Sequence, residues 1–166
     1  PVLPDFNPDD ILHILNHSES VFLFAADNLF DKLDHQKISG IKGVVSLTDF
    51  LALSFTSPEE KALWEKCFNP EHAGQSSPDN FELDEFQPED LSIISYTSGT
   101  SGFTKGVMIP ARSLLSNIIY AQEHMPLKAG DSIVSFLPMA HVFGLLFEFL
   151  FPVSVGCHVS FLTKPP

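Results

Sequence analysis

The stretch Ser92–Pro110, "SIISYTSGTSGFTKGVMIP", decides how the rest of the chain is read. Two apolar runs flank its middle, "LSIISYT" before and "GVMI" after, and both have the length and residue types of strands. Between them Thr97, Ser98, Thr100, Ser101 and Thr104 bring hydroxyls, Gly99, Gly102 and Gly106 bring turns, and Lys105 brings a positive charge. Glycines let successive N–H groups point into one concavity, which suits an anion. Hydroxyls and a mobile ammonium around it suit a polyphosphate. Two named phosphate loops are excluded. A Walker A loop puts Gly directly before its Lys, where this chain has Thr104, and the glycines at 99, 102 and 106 do not spell GxGxxG. Both of those loops also feed straight into a helix whose N-terminus holds the phosphate. Here a strand follows, so the expected device is a hairpin that grips phosphate without a helix dipole.

The charge pattern points the same way. Of the 21 Asp/Glu in the chain, 18 precede Leu91, and none falls between Leu91 and Gln122, where Lys105 and Arg112 stand. An acidic protein of net charge −12 that clears acids from one segment keeps that segment fit for an anion. An inner strand that excludes charge of either sign would give the same pattern. The acidity argues against nucleic acid, because no basic stripe exists to meet a phosphate backbone. The 166 residues, 44% of them hydrophobic, suffice for one sizeable core. Cys67 and Cys157 stand far apart, which gives neither a disulfide framework nor a zinc spacing and fits a reducing, cytoplasmic setting. His13, His17, His35, His72, His124 and His158 share no metal spacing, so no protein-held metal is expected. The chain starts at Pro1 with no basic and apolar leader, and a piece of a longer polypeptide is expected.

Outward from the hairpin, the chain alternates helices and strands. "FNPDDILHILNHSES" reads as a helix capped by Asn7 with Pro8 in its first turn, and Ile11, Leu12, Ile14 and Leu15 make its apolar face. "VFLFAAD" is expected to be a strand covered on both faces. "NLFDKLDHQ" looks helical, "GVVSL" a strand, and Ser57 with Glu60 a capping box before another helix. Residues 69–90, rich in Pro, Asp, Glu and Ser, read as a surface loop or linker. After the hairpin come a helix over Pro110–His124, a strand "SIVSFLP", a helix "HVFGLLFEFLF" and a strand "GCHVSFL". The organisation expected is a first α/β segment over 1–68, the linker 69–90, and a hairpin plus βαβ segment over 91–166. Alternation of this kind implies an α/β fold with a mainly parallel sheet flanked by helices. The apolar run Phe136–Leu162 raises a membrane span, but Glu148, Pro138 and Pro152 argue for a buried strand–helix–strand unit. Peripheral contact with a membrane stays open.

"YTSGTSGFTKGV" resembles the phosphate-loop signature of the adenylate-forming, AMP-binding superfamily, which comprises acyl-CoA synthetases, amino-acid-adenylating domains and luciferases. It departs from that signature at Ser101, where threonine is usual, and at Thr104, where proline is usual. The lead-in "QPEDL" resembles the same family's. "FLPMAHVFG" is similar to its next core motif, which places His141, Phe143 and Gly144 beside the acyl group and thiol, although a core histidine capping a helix would also explain His141. Weaker likeness in "ILHILNHSESVFLFAADNLFDKL" extends the resemblance nearly end to end. The chain then looks like part of an N-terminal domain. The run "AHVFGLLFEFLFPVSVGCHVSFLTKPP" resembles bacterial long-chain fatty-acid–CoA ligases most. It lacks the aspartate that amino-acid-adenylating domains set against the substrate ammonium. The resemblance implies a ligase that joins a fatty acid to coenzyme A with ATP and Mg²⁺. Tyr96, Thr97, Ser98, Gly99, Thr100, Ser101, Gly102, Thr104, Lys105 and Gly106 would hold the nucleotide phosphates, with Lys105 the catalytic charge. The family's adenine, ribose and C-terminal lysine motifs are not in this sequence, so the partners include the rest of the polypeptide. The alternatives are an aryl- or amino-acid-activating relative and a non-catalytic nucleotide-binding α/β domain. Glu148, the one charge in its helix, is expected to reach solvent or a partner outside the chain.

Overall fold

Asn7 opens helix α1 (Pro8–His17): its side chain accepts the Asp10 N–H at 2.8 Å, and Asp9 and Asp10 sit at the positive end of the dipole. The computed structural model describes residues 1–3, 6–67, 85–98 and 104–162. The chain divides into two compact units, Phe6–Glu85 and a second made of Phe86–Pro166 with Pro1–Asp5.

In the first unit α1 buries Leu12, Ile14 and Leu15. Strand β1 (Phe22–Ala25) pairs in parallel with β2 (Gly43–Ser46), and β3 (Ala52–Phe55) adds antiparallel on the other edge of β2. Leu12, Leu15, Phe30, Leu33, Ile41 and Val44 form the core, each such burial worth roughly 1.5–3 kcal/mol. It is β2, not β1, that is buried throughout; Phe22 and Phe24 of β1 remain half exposed against Trp64. Beyond β1 the expected helix is one turn, α2 (Asp27–Phe30), followed by a 3-10 turn at His35–Lys37. The Asp34 carboxylate accepts the Gln36 N–H, a local bond that competes with continued helix. Strand β3 is a four-residue run that carries no strand pattern of its own in the sequence. Helix α3 (Pro58–Cys67) starts with half of the expected capping box. Ser57 Oγ accepts the Glu60 N–H at 3.1 Å, but the Glu60 carboxylate turns to the Thr56 hydroxyl at 2.6 Å. Most of the acidic linker, its residues 69–84, lies outside the described residues.

In the second unit β4 (Leu91–Ser98) and β5 (Thr104–Pro110) form the antiparallel hairpin, and α4 (Ala111–His124) follows at once. Strand β6 (Ser132–Ser135) pairs in parallel with β7 (His158–Phe161) across a helical crossover. The crossover starts as an α-turn, α5 (Val142–Gly144), continues as a π-helical segment (Leu145–Leu150), and ends as α6 (Phe151–Val155). Pro152 accounts for the wide middle. It has no N–H to give the Glu148 carbonyl, and its ring would clash there in an α-helix. The Phe151 N–H instead bonds the Leu146 carbonyl five residues back. Leu146 and Phe151 bury into this unit with Tyr96, Ala111 and Ala121. The α/β reading holds: β1–β2 and β6–β7 are parallel, and β2–β3 and β4–β5, each close in sequence, are antiparallel. Among the described residues no helix is long and apolar enough to cross a membrane.

Candidate functional site

The hairpin register sets the hydroxyl-rich residues on two faces. Tyr96 pairs with Gly106, Thr97 with Lys105, and Ser98 with Thr104, and directly paired residues share a face. Tyr96 and Gly106 therefore lie on one face and Thr97 and Lys105 on the other. Tyr96 is buried, and its ring lies across Gly106. A Cβ on Gly106 would stand 2.9 Å from Ile94 Cγ2 and 3.1 Å from Tyr96 Cζ, so close approach fixes this glycine. Burial pushes the Tyr96 phenol above its ordinary value of 10.0. Lys105 is exposed and makes no ion pair with the described residues. Among the described residues Thr104 Oγ1 is buried without a hydrogen-bond partner, a state that costs about 1–3 kcal/mol. Gly99, Thr100, Ser101 and Gly102 lie outside the described residues.

The lead-in to β4 holds the far end of β5. The Gln87 N–H donates to the Asp90 carboxylate at 2.7 Å, and the Asp90 N–H to the Gln87 carbonyl at 3.0 Å. That small turn presents two carbonyls to the start of α4. The Ala111 N–H donates to Asp90 and the Arg112 N–H to Pro88, both at 2.9 Å. These N–H groups have no partner inside the helix, so the lead-in supplies what a capping side chain would. Arg112 also pairs with Glu89 at 2.7 Å, with both side chains well exposed.

His141, Phe143 and Gly144 stand on a different pair of elements, where β6 runs out toward the crossover. His141 precedes α5 and does not cap it with its side chain, which is exposed. Its N–H donates to the Pro138 carbonyl and its own carbonyl accepts from Leu145, both at 3.0 Å. Phe143 is exposed and packs at 4.8 Å on Phe147. Gly144 is buried, and a Cβ there would come within 2.8 Å of the Pro138 carbonyl oxygen. The expectation for Glu148 is corrected: it neither reaches solvent nor awaits a partner. It is 9% exposed, and Oε2 accepts the Ser135 hydroxyl at 2.9 Å and the N–H groups of Phe136 at 2.8 Å and Leu137 at 2.9 Å. Each hydrogen bond to a charged group contributes about 1.5–3 kcal/mol, which offsets burial of the carboxylate. The signal was present in the sequence. A single acid inside an apolar run is buried at great cost unless strand-end N–H groups meet it.

Among the described residues no group of three or more His, Cys, Asp or Glu could hold a metal ion.

The sequence matches the family described as "AMP-binding enzyme" over residues 1–166. It is 25% identical to the peroxisomal long chain acyl-CoA synthetase 6 of Arabidopsis thaliana over 162 residues, 94% of this chain and 23% of that protein. It is 37% identical to long-chain-fatty-acid–CoA ligase 3 of Saccharomyces cerevisiae over 78 residues, 46% of this chain and 11% of that protein. In structure it is similar to a natural red-emitting luciferase from Phrixothrix hirtus, with a TM-score of 0.76 and 21% identity over 98% of this chain and 31% of the luciferase chain. The chain thus spans about a quarter of the length of the curated relative it matches over 94% of itself.

Proposed function

The chain belongs to the AMP-binding enzyme family, and from that premise we propose that the protein carrying it is an ATP-dependent, AMP-forming fatty-acid–CoA ligase. The hairpin carries the reading. Its register sets Lys105 opposite Thr97 at the base of a loop of hydroxyls and glycines, with the ammonium exposed and unpaired among the described residues. In the proposed reaction a fatty carboxylate attacks the α-phosphorus of ATP, and pyrophosphate leaves. The thiol of coenzyme A then attacks the acyl carbonyl, loses its proton, and AMP departs. The loop N–H groups and hydroxyls hold the β- and γ-phosphates, and Lys105 stabilises the charge that builds on the leaving pyrophosphate. The buried Thr104 hydroxyl, without a partner among the described residues, is a further donor for that anion. Mg²⁺ bound to the nucleotide phosphates would add charge neutralisation. The fatty acyl group is favoured over an amino acid by the exposed Phe143 and by the lack of an Asp beside His141.

The test is Lys105→Ala in the full-length protein. Loss of one preorganised stabiliser of developing charge costs about 2.7–4 kcal/mol, roughly a hundred- to a thousand-fold in rate. Pyrophosphate exchange should fall by that factor, with thioester formation from preformed acyl-adenylate affected less. Exchange at the parental rate would make the hairpin purely structural. A panel of carboxylic acids checks the substrate, and best turnover with an amino acid or an aryl acid would overturn the fatty-acid reading.

A further inference from the structure

We propose that Glu148 is a positioning residue, whose buried carboxylate acts with the bare Cα of Gly144 to fix the strand exit that sets where His141 stands. This role in catalysis rests on the ligase reading, in which His141 borders the reacting acyl group. The connection runs in a closed ring. From Leu137 the chain passes through Pro138, turns on the His141 N–H to Pro138 carbonyl bond, and enters α5 at His141. The helical stretch that His141 begins then returns to the strand exit at two places. Gly144 presses against the Pro138 carbonyl, where a Cβ would meet oxygen at 2.8 Å. Glu148 Oε2 takes the N–H groups of Phe136 and Leu137 together with the Ser135 hydroxyl.

Residues 144 and 148 thus grip the same short segment from one helical surface. One oxygen receives three donors, two of them backbone N–H groups that lie where the strand has ended and bond no other of the described residues. The exposed imidazole of His141 has no side-chain cap bond to locate it, so its place is inherited from the backbone on either side. The effect of the Glu148 contacts on the reaction passes through His141.

The experiment uses the full-length protein with Glu148→Met, Gly144→Ala and Glu148→Gln. Three quantities are followed: pyrophosphate exchange, thioester formation from preformed acyl-adenylate, and the NMR resonances of the labelled His141 imidazole. A displacement near 1 Å costs on the order of a hundred-fold in a positioned reaction. Glu148→Met and Gly144→Ala should therefore slow thioester formation by about that factor, with exchange changed far less, and should shift the His141 resonances. Glu148→Gln keeps an acceptor oxygen for all three donors and should stay within about tenfold of the parent. Unmoved His141 resonances in folded Gly144→Ala, or equal losses in both half-reactions, would overturn the proposal. If both disruptive variants fail to fold, Ser135→Ala removes a single donor. It should then shift the His141 signals slightly, and no shift would equally overturn it. Should the parent form no acyl-CoA at all, the ligase reading fails, while the His141 resonances still decide whether the two residues hold that position.

Discussion

Gly106 is a place where one atom decides. Its missing Cβ makes room for the Tyr96 ring and for Ile94 Cγ2. Gly106→Ala forces both side chains to shift, and overpacking of this kind costs about 1–3 kcal/mol, to be read as a lower denaturant midpoint. The same ring reports on pH. Its phenol is raised above 10.0 by burial, so below that value the folded and unfolded states both keep the proton and stability does not depend on it. Above it the unfolded chain releases a proton that the folded chain retains, and stability falls as pH rises toward the folded value. Melting temperatures should decline more steeply between about pH 9 and pH 11 for the parent than for Tyr96→Phe. Equal slopes would mean that the ring is open to solvent in the folded protein.

Among the elements, α4 depends on groups that precede β4 by sequence. Asp90→Ala removes the acceptor that closes the Gln87–Asp90 turn, and with it the set of the carbonyls meeting Ala111 and Arg112. Loss of a cap-like acceptor costs about 0.5–2 kcal/mol. Arg112→Ala breaks only an exposed pair and should cost less than about 1 kcal/mol. Thermal unfolding of the two variants ranks them, and a larger effect for Arg112→Ala would reverse the argument. The elements that could be read ahead of the structure were those with local causes. The caps at Asn7 and Ser57, the strand–loop–strand order around Lys105, and the helix after Pro110 all follow from neighbours in sequence. What escaped depends on distant partners. Strand β3 exists because β2 offers an edge to its short run Ala52–Phe55. Helix α2 ends at Phe30, and the Asp34 carboxylate, which bonds the Gln36 N–H, starts a separate 3-10 turn where the sequence continues the helical pattern. Glu148 is held by N–H groups eleven and twelve residues earlier, and an isolated acid in an apolar run does not say which strand it will meet.

At the scale of the whole molecule, several large apolar side chains stand open, Met108 at 67%, Leu51 at 65% and Leu63 at 63% exposed among them. The hairpin β4–β5 and the pair β6–β7 are two-stranded sheets, which are marginal without further packing. With neither the family's ribose nor its adenine motif in the sequence, the 166-residue chain by itself should form no acyl-CoA from ATP, coenzyme A and palmitate. Robust turnover would show that those functions are met within these residues. The π-helical segment bears on relatives whose length differs at this place. Such a segment carries about one residue more than α winding needs, and each residue turns an α-helix through about 100°. A relative one residue shorter between Gly144 and Glu148, and without a proline in place of Pro152, would wind as ordinary helix and keep its apolar character. Its counterpart of Glu148 would face about 100° away from the strand exit. Gain or loss of the carboxylate's hold can therefore be written in the lineage as an insertion or deletion, with every acidic letter of the motif unchanged.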